Sequence, residues 1–122
     1  IEQMEFMALF FEITGKPIKR YALCQISDYN GKTIFNDTHY FICFNDDGIW
    51  KWPENSLTDF RGIYEYNSLK ELLLDVTKKF RNDHKEVNCN SPLYIYEYSK
   101  PKDHIKCNDF YKYIETQTKI EI

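Results

Sequence analysis

The stretch that decides the fold is residues 68–83, SLKELLLDVTKKFRND. Ser68 and Glu71 have the spacing of a capping box, in which the serine oxygen accepts the Glu71 backbone N–H and the glutamate accepts the Ser68 N–H. Apolar residues then recur at the i, i+3, i+4 and i+7 spacing of one helix face, at Leu69, Leu72, Leu73, Val76 and Phe80. The pattern predicts one main helix, about residues 68–83, that packs this face on a sheet.

Five stretches before this helix have the composition of strands. We expect strands at residues 4–13, 20–27, 39–45, 49–52 and 60–66. The first is apolar on both alternating sets, which predicts a central strand that forms a hairpin with the second. The third and fourth flank Asp46-Asp47-Gly48 in the clearest hairpin of the chain, and Pro53 is expected to end the fourth strand.

After residue 83 the pattern is less regular. Residues 93–98 alternate as a strand, and Ile120 and Ile122 alternate like an edge strand. Asn108 is positioned to cap a short helix with an apolar face at Phe110, Tyr113 and Ile114. Strands in hairpin order with a late helix predict an α+β fold, an antiparallel sheet of five to seven strands in a single domain over residues 1–122. The second face of the sheet is expected to meet solvent, a partner or the inside of a rolled sheet.

Composition and charge narrow the classes of function. The chain has 122 residues, with 16 Lys and Arg against 19 Asp and Glu, for a formal net charge of −3. This acidic balance opposes direct nucleic-acid binding and favours a basic protein partner. No apolar run approaches the roughly 20 residues of a membrane span and the first residues lack a signal region, so we expect a cytoplasmic protein with no membrane contact. Cys24 and Cys43 fall in apolar strand-like runs, as expected for reduced, buried cysteines.

Histidine and cysteine recur together late in the chain. His84-x4-Cys89 and His104-x2-Cys107 offer four ligands that a tetrahedral zinc ion would accept. The spacing matches no standard zinc finger, because established sites pair their ligands two to four residues apart on both knuckles. We therefore expect neither a metal nor a cofactor.

A small histidine-dependent hydrolase or ribonuclease is one alternative class. Asp37 and His39 are two residues apart and share a strand face, which suits a general acid–base pair. However, the sequence contains no nucleophile motif and no glycine-rich phosphate loop. We therefore expect that His39 and His104 carry no catalysis.

Tyrosines alternate along two predicted strands, at Tyr64, Tyr66, Tyr94, Tyr96 and Tyr98. If the aliphatic residues between them face the main helix, all five form an aromatic ladder on the opposite face of the sheet. Tyrosine suits a protein interface, because it combines a large contact area with a hydroxyl that tolerates water. The alternatives are ordinary cross-strand pairs, the inside of a rolled sheet, or a platform for nucleic-acid bases.

The tip of the predicted 39–52 hairpin combines charge with large aromatics. Asp46 and Asp47 precede Trp50, and Glu54 follows, a pattern typical of an interaction hot spot. The alternative is a solvated turn flanked by two core tryptophans, Trp50 and Trp52. We predict that Asp46, Asp47, Trp50 and Glu54 bind a partner together with the five tyrosines.

In general character the chain resembles the immunity proteins that bacteria make against contact-dependent or polymorphic toxins. The resemblance lies in the small size, acidity and aromatic content of the whole chain, and it assigns no site residue. It implies a toxin inhibitor, or antitoxin, that binds a cognate toxin domain such as a nuclease and covers its active site. Besides the histidine-dependent enzyme, the alternatives are a nucleic-acid-binding protein and a phage- or plasmid-borne regulator.

Overall fold

The computed structural model describes residues 2–54, 57–83, 92–102 and 105–120. A short 3₁₀ turn, Thr58–Phe60, interrupts an otherwise regular series of helices and strands. These elements are α1 (Glu2–Ile13), β1 (Lys19–Tyr29), β2 (Lys32–Asp46), β3 (Ile49–Glu54), β4 (Gly62–Tyr66), α2 (Leu69–Asp83), β5 (Leu93–Tyr98), α3 (Cys107–Glu115) and β6 (Thr118–Ile120). Within the described chain, six strands form one antiparallel sheet, which confirms the predicted α+β class with one main helix and a short C-terminal helix.

The sheet follows the order β4-β3-β2-β1-β5-β6, so β1 and β2 lie at its centre. Both hairpins of the β1–β2–β3 meander turn at residue pairs with positive φ, 49° and 75° at Asn30 and Gly31 and 51° and 89° at Asp47 and Gly48. Positive φ at both central residues matches the right-handed twist of the strands, and Asn, Asp and Gly reach it at the lowest cost. The turn chemistry therefore sets the pairing of the three strands.

α2 covers one face of the sheet, as its sequence predicts. The Ser68 hydroxyl accepts the Glu71 N–H at 3.2 Å, as predicted, whereas the Glu71 carboxylate accepts the Asn67 N–H at 3.3 Å in place of the predicted Ser68 N–H. The apolar stripe packs on buried side chains of β1, β2, β3 and β5, and together they form one core: Tyr21, Leu23, Phe41, Cys43, Trp52, Leu72, Leu73, Val76, Phe80 and Ile95. Leu74 lies outside the stripe and is 47% exposed.

α1 and α3 cover the opposite face, which sequence patterns left to solvent, a partner or a rolled sheet. Met4 and Ala8 of α1 and Ile114 of α3 are buried there. They pack on the second set of alternating strand residues, a separate core that includes Ala22, Cys24, Ile26, Ile42, Tyr96 and Tyr98. The sheet is thus buried on both sides, which explains why consecutive residues of β1 from Tyr21 to Cys24 are all apolar and buried.

Residues 4–13, predicted as a central strand, are helical, and the predicted hairpin with residues 20–27 does not exist. Only a helix places Glu5 and Glu12 on the same side of the segment, where both carboxylates bond Arg20. A continuous apolar run has no period that separates a buried strand from a buried helix. Its length does not decide between them either, because β1 and β2 of the same chain have 11 and 15 residues.

Other boundaries also differ from the sequence-based expectations. Pro53 lies inside β3, which it does not end, because the ladder to β2 stops at Lys51 and leaves Pro53 paired with β4 alone. The N-cap position of α3 is occupied by Lys106, not Asn108, since the helix begins at Cys107. Ile122, the second half of the predicted edge strand, lies outside the described residues.

Candidate protein-binding surface

The predicted acidic hairpin tip is largely neutralised within the chain. The Asp46 carboxylate contacts the Lys16 ammonium at 2.9 Å and the Lys51 ammonium at 3.0 Å. These two hydrogen bonds lower the pKa of Asp46, and the bond from Lys16 has the larger effect. Asp47 is exposed at the turn, and Trp50 is half-buried against the α2 core. The tip therefore offers one exposed carboxylate and no patch of free negative charge.

Glu54 is buried in direct contact with a histidine. The His39 Nε2 atom lies 2.6 Å from the Glu54 Oε2 atom, and the Leu57 N–H donates to Glu54 Oε1 at 3.2 Å. The imidazole stacks between Phe41 and Phe80, with ring centroids 5.8 Å and 6.4 Å away. The two side chains of the pair are only 6% and 3% exposed, so neither presents a surface to a partner or an open site to a substrate.

The tyrosines divide between the two faces of the sheet and do not form one ladder. Tyr64 stacks on Trp52 at 5.0 Å and donates its hydroxyl to the Phe60 carbonyl, while Tyr66 donates to the Asp75 carboxylate. Both therefore lie on the α2 side. A single ladder requires Ile63, the aliphatic residue before Tyr64, to face the main helix, but Ile63 points the other way and is 63% exposed.

The other three tyrosines lie on the α1 and α3 side of the sheet. Tyr96 and Tyr98 are buried, and burial raises the pKa of both hydroxyls. Tyr94 is half-buried beneath the Lys119 ammonium, which lies 3.7 Å from the ring centroid. Burial thus removes Glu54, Tyr96 and Tyr98 from the surface. Of the other predicted residues, Trp50, Tyr64 and Tyr66 lie together against the α2 core, whereas Tyr94 lies against the opposite core.

The most exposed apolar surface lies on α1, where the sequence patterns did not place a site. Four large apolar side chains of α1 point away from the sheet. Their exposed fractions are 74% for Phe6, 53% for Leu9, 60% for Phe10 and 77% for Ile13. We call these four residues the α1 outer face. At roughly 200 Å² for a fully exposed large side chain, the fractions correspond to on the order of 500 Å² of apolar surface, the upper end of what monomers leave uncovered.

The spacing of the α1 outer face is that of one helix stripe, i, i+3, i+4 and i+7. A second stripe, Met4, Met7, Ala8 and Phe11, occupies the side that packs on the sheet. The helix is therefore apolar on two opposite sides. Two helix-spaced stripes interleaved in one segment imitate the uninterrupted apolar run of a central strand, which is why the sequence pattern missed both the helix and its surface.

α1 is held on the sheet by a partly buried ion-pair cluster. The Arg20 guanidinium of β1 donates to Glu5 at 2.9 Å and 3.2 Å and to Glu12 at 2.8 Å, and the Lys100 ammonium lies 3.9 Å from Glu5. Burial of the guanidinium opposes its charge, but the bonds to both glutamates raise the pKa of Arg20. The cluster fixes the orientation of α1, so its apolar outer side cannot turn inward.

A shallow groove lies between α2 and the β5–β6 edge. Its volume is about 250 Å³, and it is lined by Leu23, Thr77, Leu93, Tyr94, Ile95, Lys119 and Ile120. Among the described residues, no three His, Cys, Asp or Glu side chains converge as a metal site would require. Three of the four residues considered as zinc ligands, His84, Cys89 and His104, lie outside the described residues, as does the Cys107 side chain.

No protein-family model, no curated protein and no solved structure matches the chain. Among the helices of the described residues, none has both the length and the apolar composition needed to cross a membrane. The α1 outer face contains four of the seven exposed large hydrophobic side chains of the described residues, and it is the candidate binding surface.

Proposed function

We propose that the protein is a protein-binding module that contacts its partner through the α1 outer face. The observation that carries this proposal is the exposure of Phe6, Leu9, Phe10 and Ile13 on a helix already anchored to the sheet. Exposing this much apolar surface is unfavourable in water, and contiguous patches of this size commonly mark interaction sites. Side chains at i, i+3, i+4 and i+7 are also the anchors with which a helix occupies an apolar groove.

The class of partner follows from charge as well as from shape. The chain carries a formal net charge of −3, which favours approach of a basic protein. A small acidic module with an apolar contact face suits an immunity protein that binds a bacterial toxin domain in the cytoplasm and covers its active site. The aromatic side chains would then set the dissociation rate and the net charge the association rate.

The test is binding of the purified chain to the product of the neighbouring gene, measured as rates over a salt series. We expect Phe6→Ala to weaken binding by about 30-fold, mainly through faster dissociation, as for an aromatic hot spot. Ile63→Ala is the matched control, because Ile63 is also exposed but lies on β4.

Two results would count against the proposal. Equal affinities of the wild type and the Phe6→Ala variant would remove the α1 outer face from the interface. The absence of any complex with the neighbouring product, together with unchanged toxin activity in its presence, would remove the immunity function.

A further inference from the structure

We propose that, before it meets its partner, the protein forms a symmetric dimer in which the α1 outer faces of two copies pack on each other. The partner would then displace one copy from this contact. That displacement rests on the function proposed above, whereas the dimer itself does not. The starting observation is that α1 buries Met4 and Ala8 almost completely but leaves Phe6 and Ile13 about three-quarters exposed, at 74% and 77%. An apolar face of a helix is normally buried against another element, whereas the outer apolar side of α1 is exposed.

The arrangement of the four side chains is self-complementary. Leu9 and Phe10 lie at the centre of the stripe, with Phe6 and Ile13 at its two ends. A twofold axis between Leu9 and Phe10 would place two α1 helices antiparallel, with Phe6 of each copy against Ile13 of the other. The same patch then serves on both copies, as an isologous interface requires.

Charges beside the stripe permit contact between identical surfaces. Glu5 and Glu12 flank one side of α1, and repulsion between two such flanks would oppose a symmetric dimer. Both carboxylates are bonded to Arg20 of the same chain, and Lys100 lies 3.9 Å from Glu5. Each copy therefore compensates the charges of its own Glu5 and Glu12, so these two side chains bring no unpaired like charge to the contact.

The available area fits a weak dimer that a partner can displace. Two α1 outer faces together offer on the order of 1,000 Å², about the lower limit for a specific interface. Interfaces of this size are characteristic of transient complexes, so dimer and monomer are expected to exchange as concentration changes. This self-contact would keep the apolar face covered when no partner is present.

Sedimentation equilibrium of the purified full chain, over roughly 1 µM to 1 mM, tests the dimer without any partner. The wild-type mass is expected to rise with concentration from 14.8 kDa towards twice that value. Leu9→Glu places two carboxylates at the centre of the contact and is expected to remain monomeric. Leu9→Ala, a milder change, is expected to shift the dimerisation midpoint to higher concentration while circular dichroism stays unchanged.

Leu74→Glu is the matched control, because Leu74 is an exposed leucine of α2 on the opposite side of the sheet. It is expected to dimerise like the wild type. A wild-type mass of one chain at every concentration would overturn the dimer, as would a Leu9→Glu variant that dimerises normally. Partner titrations at least about 100-fold below the dimerisation midpoint use almost only monomer, so failure to bind there would count against the proposed function and not against the dimer.

Discussion

α1 and α2 pack on opposite faces of the same sheet but differ in what they present to solvent. α2 buries Leu72 and Val76 completely and directs mainly polar side chains outward. α1 buries Ala8 completely, yet its outward side carries Phe6 with 74% exposure. A helix that serves only the fold is polar outside. The difference indicates that α2 is organised for stability, whereas α1 combines a stabilising side with an exposed apolar side, which is the binding side in the proposed function.

The largest effect is expected from the inner side of α2. Leu73 is 3% exposed, and Leu73→Ala is expected to lower the free energy of unfolding by about 2–5 kcal/mol through lost burial and a residual cavity. The adjacent Leu74, 47% exposed, supplies the control, since Leu74→Ala is expected to change stability by less than about 0.5 kcal/mol. Denaturant unfolding of both variants measures the contrast. Equal midpoints would mean that the buried face of α2 is assigned incorrectly.

α2 could be predicted from the sequence because its determinants are local. Ser68 and Glu71 mark its start within one turn, and its apolar residues occupy one stripe. α1 offered no such contrast, since its two opposite stripes remove the period that separates a helix from a strand. What identifies α1 is the joint contact of Glu5 and Glu12 with Arg20, which depends on the folded sheet.

The second comparison concerns how each helix is attached. α2 is held by apolar packing, whereas α1 is also held by the Arg20 cluster. Arg20→Met is therefore expected to lower the free energy of unfolding by about 2 kcal/mol, because it leaves two carboxylates without their charged partner. Glu12→Gln keeps the guanidinium bonded to Glu5 and is expected to cost less. Urea unfolding of both variants provides the measurement. An Arg20→Met variant as stable as the wild type would show that apolar packing alone fixes α1.

Side-chain partners across the sheet explain why the candidate site could be predicted only in part. Glu54 follows Trp50 and Trp52 at the spacing of one strand face, a pattern that indicates burial once Trp52 is known to be in the core. Its partner His39 lies 15 residues earlier, and the contact depends on how β2 and β3 approach α2. The alternation along each strand therefore shows which residues share a face, but it does not show which side of the sheet that face belongs to.

A smaller effect is expected from the polar side of α2, and it depends on pH. Partial burial alone would raise the pKa of Asp75, but hydrogen bonds from Lys79 and Tyr66 bring it below the ordinary value of 3.8. A carboxyl group with a lowered folded-state pKa contributes stability above the unfolded value and loses it as pH falls through the folded value. Asp75→Asn should thus reduce stability by less than about 1 kcal/mol at neutral pH and flatten the loss of stability below pH 3.8.

The control for this titration is Asp47→Asn, because Asp47 is exposed at a turn where asparagine is equally suited to the positive φ of 51°. Thermal melts between neutral pH and pH 2.5 compare the two variants with the wild type. Parallel pH profiles for the wild type and Asp75→Asn would show that the contact with Lys79 does not contribute to acid sensitivity.

The smallest effect on stability is expected from the α1 outer face, and its sign is informative. Phe6→Ala removes a side chain that is 74% exposed and replaces it with a better helix former, so the free energy of unfolding should stay constant or rise by up to about 0.5 kcal/mol. The same substitution is expected to weaken partner binding, whereas Leu73→Ala should lower stability and leave the affinity of the remaining folded protein unchanged. Unfolding and binding measured on one set of samples separate the two roles. If Phe6→Ala destabilised the monomer as strongly as Leu73→Ala, the ring would belong to the core, and α1 and α2 would no longer differ in function.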